Sequence, residues 1–405
     1  MRSEIVRRTA IASVSALAGA ACLATTAAAD GPGVGTPAVV TLGDSAISGE
    51  AGRWAGNTND SYTKVDALGP TAYFDNASNT AETIPGCHRS KAAEAHIGGG
   101  IVTANLACSG ARTSTGGTGD GEDFKPGIDF YSDANGRVGQ ALALQQYART
   151  HNVKTVVVLI GANDYGFAEI VETCVVDWYT SPSWWPNYCQ DDDNIVAMFT
   201  PQNIAYETEN VKQAYLRVQQ AMANAGYAPS QYTILAQTYW SPIPRGAGFR
   251  YPETGYTRQT VGGCGMWNRD ADWANDTVVP VMNNTTRNAV SQSGLTNVKV
   301  LDMASSLVGR RLCENTVGLL EEKGVSSWQS NGAVDKTEWV SQVRTSSTIG
   351  GPYQLQEDGH ASYWGQKAMR NCLRLAYNNG VVRGGNCVID RKGLNAQGEP
   401  RMALR

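Results

Sequence analysis

The sequence predicts an α/β fold in which a parallel sheet of about five strands is covered by helices on both faces. Short apolar runs, often β-branched, recur along the chain and alternate with helical patterns. Parallel strands need crossover connections, which are usually helices, so this alternation favours a parallel sheet. The predicted strands lie at residues 38–42, 101–107, 154–160, 232–238 and 298–301.

Helices are predicted between and after these strands, at residues 136–150, 201–225, 268–293 and 361–378. The second has the clearest pattern, because its apolar residues recur at steps of 7, 4, 3 and 4 and so share one face: Ile204, Val211, Tyr215, Val218 and Met222. In the third, Pro280 is expected to cause a kink or a break.

The N-terminus has the layout of a secretory signal peptide. Three arginines precede an apolar, alanine-rich run at residues 9–23, and three alanines then precede Asp30. The run is too short and too rich in alanine for a good membrane span. We therefore expect cleavage after Ala29, leaving a secreted, extracellular protein without a stable membrane anchor.

The mature chain is predicted to form one domain over residues 30–405, after a signal peptide at residues 1–29. Insertions are expected near residues 174–200 and 304–351. No proline- and serine-rich linker of the kind that separates domains is present. We expect the chain to be a monomer.

Eight cysteines remain once Cys22 of the predicted signal peptide is set aside. An even count in an exported chain favours disulfides, and no C-x-x-C pair indicates a zinc site. Sequential pairing closes the shortest loops. The predicted bridges are Cys87 with Cys108, Cys174 with Cys189, Cys264 with Cys313, and Cys372 with Cys387.

Charge and motifs exclude several classes of function. A formal net charge of -4 gives no basic surface for nucleic acid or an anionic membrane. The G-x-S-x-G, H-E-x-x-H and G-x-x-x-x-G-K-[ST] motifs are absent from the sequence. These absences argue against an α/β-hydrolase layout, a zinc peptidase and a P-loop nucleotide site.

Four short blocks place chemistry-bearing residues at one edge of the predicted sheet. Ser45 follows the first strand in "VVTLGDS", Gly110 follows the second in "NLACSGART", and Asn163 follows the third in "VVVLIGAND". His360 lies in "QLQEDGHASYWGQ", just before the last helix. Active sites of parallel sheets lie beyond the carboxyl ends of the strands, so these residues are expected to meet there.

This set of residue types suits acyl transfer. A serine hydroxyl becomes a nucleophile when a base takes its proton, and histidine has a suitable pKa in neutral water. The oxyanion that forms needs preorganised donors. We expect these to be the backbone N–H groups of Gly110 and Ser45 and the side-chain amide of Asn163.

Only four histidines are present, and the surroundings of three of them are less suitable for a catalytic base. His88 adjoins a cysteine and an arginine, and is expected at the surface or behind the site. His96 lies in a polar segment and His151 at a helix end. His360 is therefore the predicted base.

The four ordered blocks resemble those of the SGNH, or GDSL, hydrolase family. The resemblance spans residues 39–366, and its detail is similar to secreted actinobacterial esterases and lipases. It implies a flavodoxin-like three-layer α/β/α domain and a serine nucleophile that needs neither a metal nor another cofactor. It also implies the roles given above for Ser45, Gly110, Asn163 and His360.

The sequence departs from the family pattern at the group that orients the histidine. The family usually has an aspartate three residues before the histidine, whereas Glu357 holds that place here and Asp358 follows it. Glu357 is the predicted orienting residue. Asp358 or a main-chain carbonyl, as in some relatives, remains the alternative.

The predicted function is a secreted serine esterase or lipase whose partner is a lipid or small acyl ester. A polysaccharide O-deacetylase is the alternative enzyme, and a non-catalytic carbohydrate-binding protein is the alternative outside enzymes. The tryptophan-rich segment "CVVDWYTSPSWWPNYC" at residues 174–189 bears on this choice. Its aromatic residues suit an acyl pocket, a lipid contact, sugar stacking or a small satellite core.

Overall fold

The computed structural model describes residues 30–117, 123–343 and 357–405. The predicted signal peptide at residues 1–29 lies outside the described residues. The same holds for residues 344–351 of the insertion predicted near 304–351. Within the described ranges, no helix is both long enough and apolar enough to span a membrane.

The described strands form one mostly parallel sheet in the order β2-β1-β3-β4-β5-β6-β7. They are β1 Pro37–Gly43, β2 Val102–Asn105, β3 Asn152–Leu159, β4 Thr233–Gln237, β5 Val298–Asp302, β6 Gly385–Leu394 and β7 Pro400–Leu404. Every neighbouring pair is parallel except β6 and β7. The order of the first five strands is the flavodoxin-like one, so the predicted fold class is confirmed.

The sheet is larger than predicted, because a C-terminal hairpin extends it. Strand β6 joins β5 through only two residue pairs and then continues as an antiparallel partner of β7. The sequence gives little signal for β6, since the strand carries Asp390, Arg391 and Lys392 on a largely exposed stretch. The expectation of about five strands missed this hairpin for that reason.

Helices cover both faces of the sheet. They are α1 Ser45–Ser48, α2 Gln140–Ala148, α3 Phe167–Thr180, α4 Asp193–Met198, α5 Pro201–Asn224, α6 Thr257–Thr260, α7 Asn268–Trp273, α8 Val279–Ser293, α9 Ala333–Lys336 and α10 Tyr363–Tyr377. A π-helical segment, Ala274–Val278, separates α7 from α8. Pro280 lies in the first turn of α8, where its missing N–H costs nothing, so the predicted interruption occurs just before it.

Alternate residues of the strands bury against opposite helical layers, as the two-residue period of a strand requires. Val40 of β1 belongs to a core that includes Leu144 of α2 and Val211 of α5. Its neighbour Val39 belongs to the other core, together with Met369 of α10. The sheet is therefore covered on both sides, which leaves its edges and the loops that follow the strands accessible.

All four predicted disulfides are present. One of them, Cys87–Cys108, lies beside the loop that carries Gly110. Another, Cys174–Cys189, ties the second half of α3 to the segment that follows it. Both therefore fix segments that border the cavity described below.

Candidate active site

The turn that carries Ser45 begins with a glycine that no other residue can replace without strain. Gly43 has a φ of 140°, and a Cβ there would lie 1.8 Å from the carbonyl oxygen of Leu159. The buried side chain of Gln140 holds this residue, accepting from its N–H at 2.7 Å and donating to its carbonyl at 2.8 Å. Ser45 then starts α1, and Asp44 caps that helix by accepting from the N–H of Ala46.

The structure brings Ser45 and His360 together across 315 residues of sequence. His360 Nε2 lies 2.7 Å from Ser45 Oγ, which is the distance at which an imidazole accepts a hydroxyl proton. His360 Nδ1 lies 3.0 Å from the main-chain oxygen of Asp358. A carbonyl only accepts hydrogen bonds, so this contact places the imidazole proton on Nδ1 and leaves Nε2 free to act as the base.

The Nδ1 contact corresponds to the main-chain alternative and does not match the prediction for Glu357. The Glu357 carboxylate instead accepts hydrogen bonds from Trp54 Nε1 at 2.8 Å and from Tyr73 Oη at 2.5 Å. Burial raises the pKa of Glu357 to about 7, and the negative charge of Glu50 adds to the effect. Glu357 therefore anchors the start of the turn that presents the Asp358 carbonyl.

Burial lowers the pKa of His360 below its ordinary value of 6.5, and the negative charge of Glu50 opposes that shift. Glu50 is itself buried, and its carboxylate lies 2.7 Å from Nδ1 of the equally buried His88. His88 thus lies in the buried shell behind the site, one of the two locations predicted for it. His360 is therefore neutral at neutral pH and able to accept a proton.

The candidate oxyanion donors lie on two loops beside Ser45. Gly110 has a φ of 77°, which favours glycine, and the N–H of Cys108 donates to the carbonyl of Gly43 at 3.0 Å. Asn163 Nδ2 donates to the carbonyl of Ala111 at 2.9 Å. This bond uses one of the two amide protons and fixes the orientation of the side chain, so the second proton is available to a ligand.

Tyr239 links the turn that carries Ser45 to the loop that carries Asn163, and nothing in the sequence pattern identified it. Its hydroxyl donates to the Asp44 carboxylate and accepts from the N–H of Ala162 at 3.1 Å. Burial raises the pKa of Asp44 to about 7. Asp164 accepts from the hydroxyl of Thr113 at 2.6 Å, which ties the same loop to the one that carries Gly110.

Ser45, Gly110, Asn163 and His360 all line one cavity of about 640 Å³. Most of the remaining wall is apolar. It comes from one side of α3 and from the β4 and α8 regions, and includes Phe167, Ala168, Val171, Val175, Trp240, Pro242, Val279 and Met282. The wall follows α3 from Phe167 to Val176, a helix length of about 14 Å. The cavity can therefore hold an extended apolar chain beside the serine.

Comparison with known proteins gives neighbours among solved structures alone. No family model matches the chain, and no curated protein matches it. An extracellular lipase from Streptomyces rimosus is 17% identical, with a TM-score of 0.42, 84% of this chain covered and 98% of the other. A phospholipase A1 from Streptomyces albidoflavus NA297 is 16% identical, with a TM-score of 0.41 and the same coverage.

A third neighbour is Est24, a carbohydrate acetylesterase from Sinorhizobium meliloti. It is 12% identical, with a TM-score of 0.29, 71% of this chain covered and 92% of the other. The identities and TM-scores of these neighbours are too low to assign an activity, which has to come from the geometry around Ser45 and His360.

Proposed function

We propose that this chain is a secreted serine carboxylic ester hydrolase that acts through an acyl-enzyme on Ser45. The observation that carries the proposal is the 2.7 Å contact between Ser45 Oγ and His360 Nε2, at the wall of a largely apolar cavity. Four disulfides support an oxidising compartment for the folded chain. Export would require removal of residues 1–29.

In the first half-reaction, His360 Nε2 takes the hydroxyl proton as Ser45 Oγ attacks the ester carbonyl. The new imidazolium is held by its Nδ1–H bond to the Asp358 carbonyl. The developing oxyanion accepts from the N–H groups of Gly110 and Ser45 and from the free amide proton of Asn163. Collapse of the tetrahedral intermediate expels the alcohol, which takes the proton back from His360.

In the second half-reaction, water replaces the alcohol and the same groups act in the same order. His360 takes a proton from water, the hydroxide attacks the acyl-enzyme, and the oxyanion returns to the same donors. Release of the carboxylic acid regenerates Ser45. Every step uses groups that already line the cavity, and none requires a cofactor.

The cavity favours esters with a long acyl chain over acetylated sugars. An acetyl group would leave most of the 640 Å³ empty, and the apolar wall offers few partners for sugar hydroxyls. A chain that lies along α3 from Phe167 towards Val176 would bury its methylenes, each worth about 0.8 kcal/mol. This burial free energy would come from the acyl chain of the substrate and would favour long-chain esters.

The test is labelling of the mature protein with a fluorophosphonate, together with turnover of nitrophenyl esters of graded chain length and of acetylated xylan. Ser45→Ala and His360→Ala should abolish labelling and reduce ester turnover about 10⁴-fold or more. Ser78→Ala, at an exposed serine, is the matched control. A wild type that neither labels nor turns over any ester would support a binding protein instead, and preference for acetylated xylan would support a deacetylase.

A further inference from the structure

Two neighbouring tryptophans in the segment closed by Cys174–Cys189 are largely exposed. Trp184 is 81% exposed and Trp185 is 73% exposed, whereas Trp178 in the preceding helix is buried. The satellite core expected for this segment therefore includes Trp178 and leaves the other two indoles in water. Exposed side chains of this size are costly in a soluble protein unless a binding partner covers them.

The helix that precedes these tryptophans also exposes large side chains, beginning at the cavity wall. Val176 both lines the cavity and is half exposed, and Tyr179 follows it on α3 with 53% exposure. The ring of Tyr179 lies 5.4 Å from that of Tyr256, which is 60% exposed. We call Val176, Tyr179, Trp184, Trp185 and Tyr256 the aromatic rim.

The loop that presents the tryptophans is held in place. The Cys174–Cys189 bond closes the segment, so that it returns to α3. Ser181 Oγ accepts hydrogen bonds from the N–H of Asn187 at 2.9 Å and from Trp267 Nε1 at 3.3 Å. A loop that is already held in place loses less conformational freedom on binding than a flexible loop does, and this favours binding to a surface.

The charge pattern of the loop selects the kind of surface. Residues 181–188 contain no charged side chain, and Asp191, Asp192 and Asp193 follow after two further residues. Indole rings favour the boundary between water and the apolar part of a lipid layer. Arg269 pairs with Asp191 at 3.1 Å, but Asp192 and Asp193 leave this segment net acidic, which disfavours anionic headgroups. The chemistry therefore fits a lipid surface without net negative charge.

We propose that the aromatic rim docks the enzyme on the surface of uncharged or zwitterionic lipid aggregates, from which an acyl chain enters the cavity past Val176. This inference rests on the proposed function, because it takes the substrate of the Ser45 site to be a lipid ester. A polysaccharide fits less well, since the rim leads into an apolar wall and the Ser181 hydroxyl is already engaged.

The direct test measures binding without turnover. The Ser45→Ala protein is sedimented with vesicles of phosphatidylcholine, and compared with the same protein carrying Trp184→Ala and Trp185→Ala. The double substitution should weaken vesicle binding at least about tenfold, because two indoles lose their burial in the lipid layer. Phenylalanine at both positions should restore part of the binding. Tyr206→Ala, at an aromatic residue with 63% exposure outside the rim, is the matched control.

Three outcomes would overturn the inference. They are equal vesicle binding with and without the tryptophans, stronger binding when one fifth of the lipid is anionic, and tryptophan-dependent capture by acetylated xylan in place of vesicles. Turnover of a dissolved short-chain ester by the unmodified enzyme tests the Ser45 chemistry separately. Loss of that turnover contradicts the proposed function, while vesicle binding alone decides the docking surface.

Discussion

Trp54 Nε1 donates a 2.8 Å hydrogen bond to the carboxylate of Glu357, and so joins a buried tryptophan to the turn that carries His360. Tyr73 donates to the same carboxylate. The next residue, Asp358, offers its carbonyl to His360 Nδ1. A buried carboxylate thus acts one residue away from the group that orients the imidazole, and positions that group through the backbone.

Glu357→Ala should lower kcat about tenfold and leave KM for a short ester nearly unchanged. The change removes the hydrogen bonds that two buried donors make to the carboxylate, each worth about 0.5–1.5 kcal/mol or more, and loosens the turn before His360. Steady-state kinetics and thermal unfolding measure the two effects. Tyr73→Phe removes one donor and keeps the carboxylate, so its effect on kcat should be smaller. A Glu357→Ala variant that keeps full kcat would contradict this positioning role.

The acid limb of the kcat/KM profile should have its midpoint below pH 6.5. Burial disfavours the imidazolium form and lowers the pKa of His360, so the imidazole stays neutral, and able to accept a proton, to a lower pH than a free histidine. A pH series with a soluble ester measures the midpoint. NMR titration of the Ser45→Ala protein checks that the group is His360. A midpoint above 6.5 would contradict the burial argument.

Asn163→Ala should reduce kcat about 10²- to 10³-fold with little change in KM. The side-chain amide would lose its hydrogen bond to an oxyanion that exists only in the transition state. Asn163→Asp should be at least as damaging, because a carboxylate at this position repels the oxyanion. Stopped-flow and steady-state assays on a nitrophenyl ester measure both variants. An increase in KM with unchanged kcat would instead assign Asn163 to binding of the substrate in its ground state.

Stability should fall as the pH rises from about 4.5 to about 8, in part because of one buried acid. Burial raises the pKa of Glu94 to about 8, and a hydrogen bond from Gln237 only partly opposes this. Between these pH values the folded state keeps a proton that the unfolded state has released. The free energy of unfolding therefore falls over this range, by about 5 kcal/mol at most. Below pH 4.5 the contribution to stability is fully present.

Glu94→Gln should flatten that part of the stability curve, since an amide has no proton to lose in this range. Denaturant unfolding at several pH values gives the free energy of unfolding. Glu209→Gln, at an exposed acid, is the control and should leave the curve nearly as it is. An unchanged slope in Glu94→Gln would place the titrating group elsewhere.

The elements and site residues that have a local sequence pattern could be predicted from the sequence. The apolar runs located β1 and β3, and the blocks that follow strands located Ser45, Gly110 and Asn163, which the fold brings to one cavity with His360. The orienting group has no such pattern, because a carbonyl belongs to every residue. Gln140 and Tyr239 also escaped detection, since each reaches the site from a distant element.

Ser45 and His360 are separated by 315 residues, so a nascent chain contains the serine long before the histidine. A ribosome that has made the first three hundred residues has produced the serine without the imidazole, in a fragment that also lacks the last parallel strand. On the proposed mechanism, such a fragment lacks the base for Ser45 and should not hydrolyse esters.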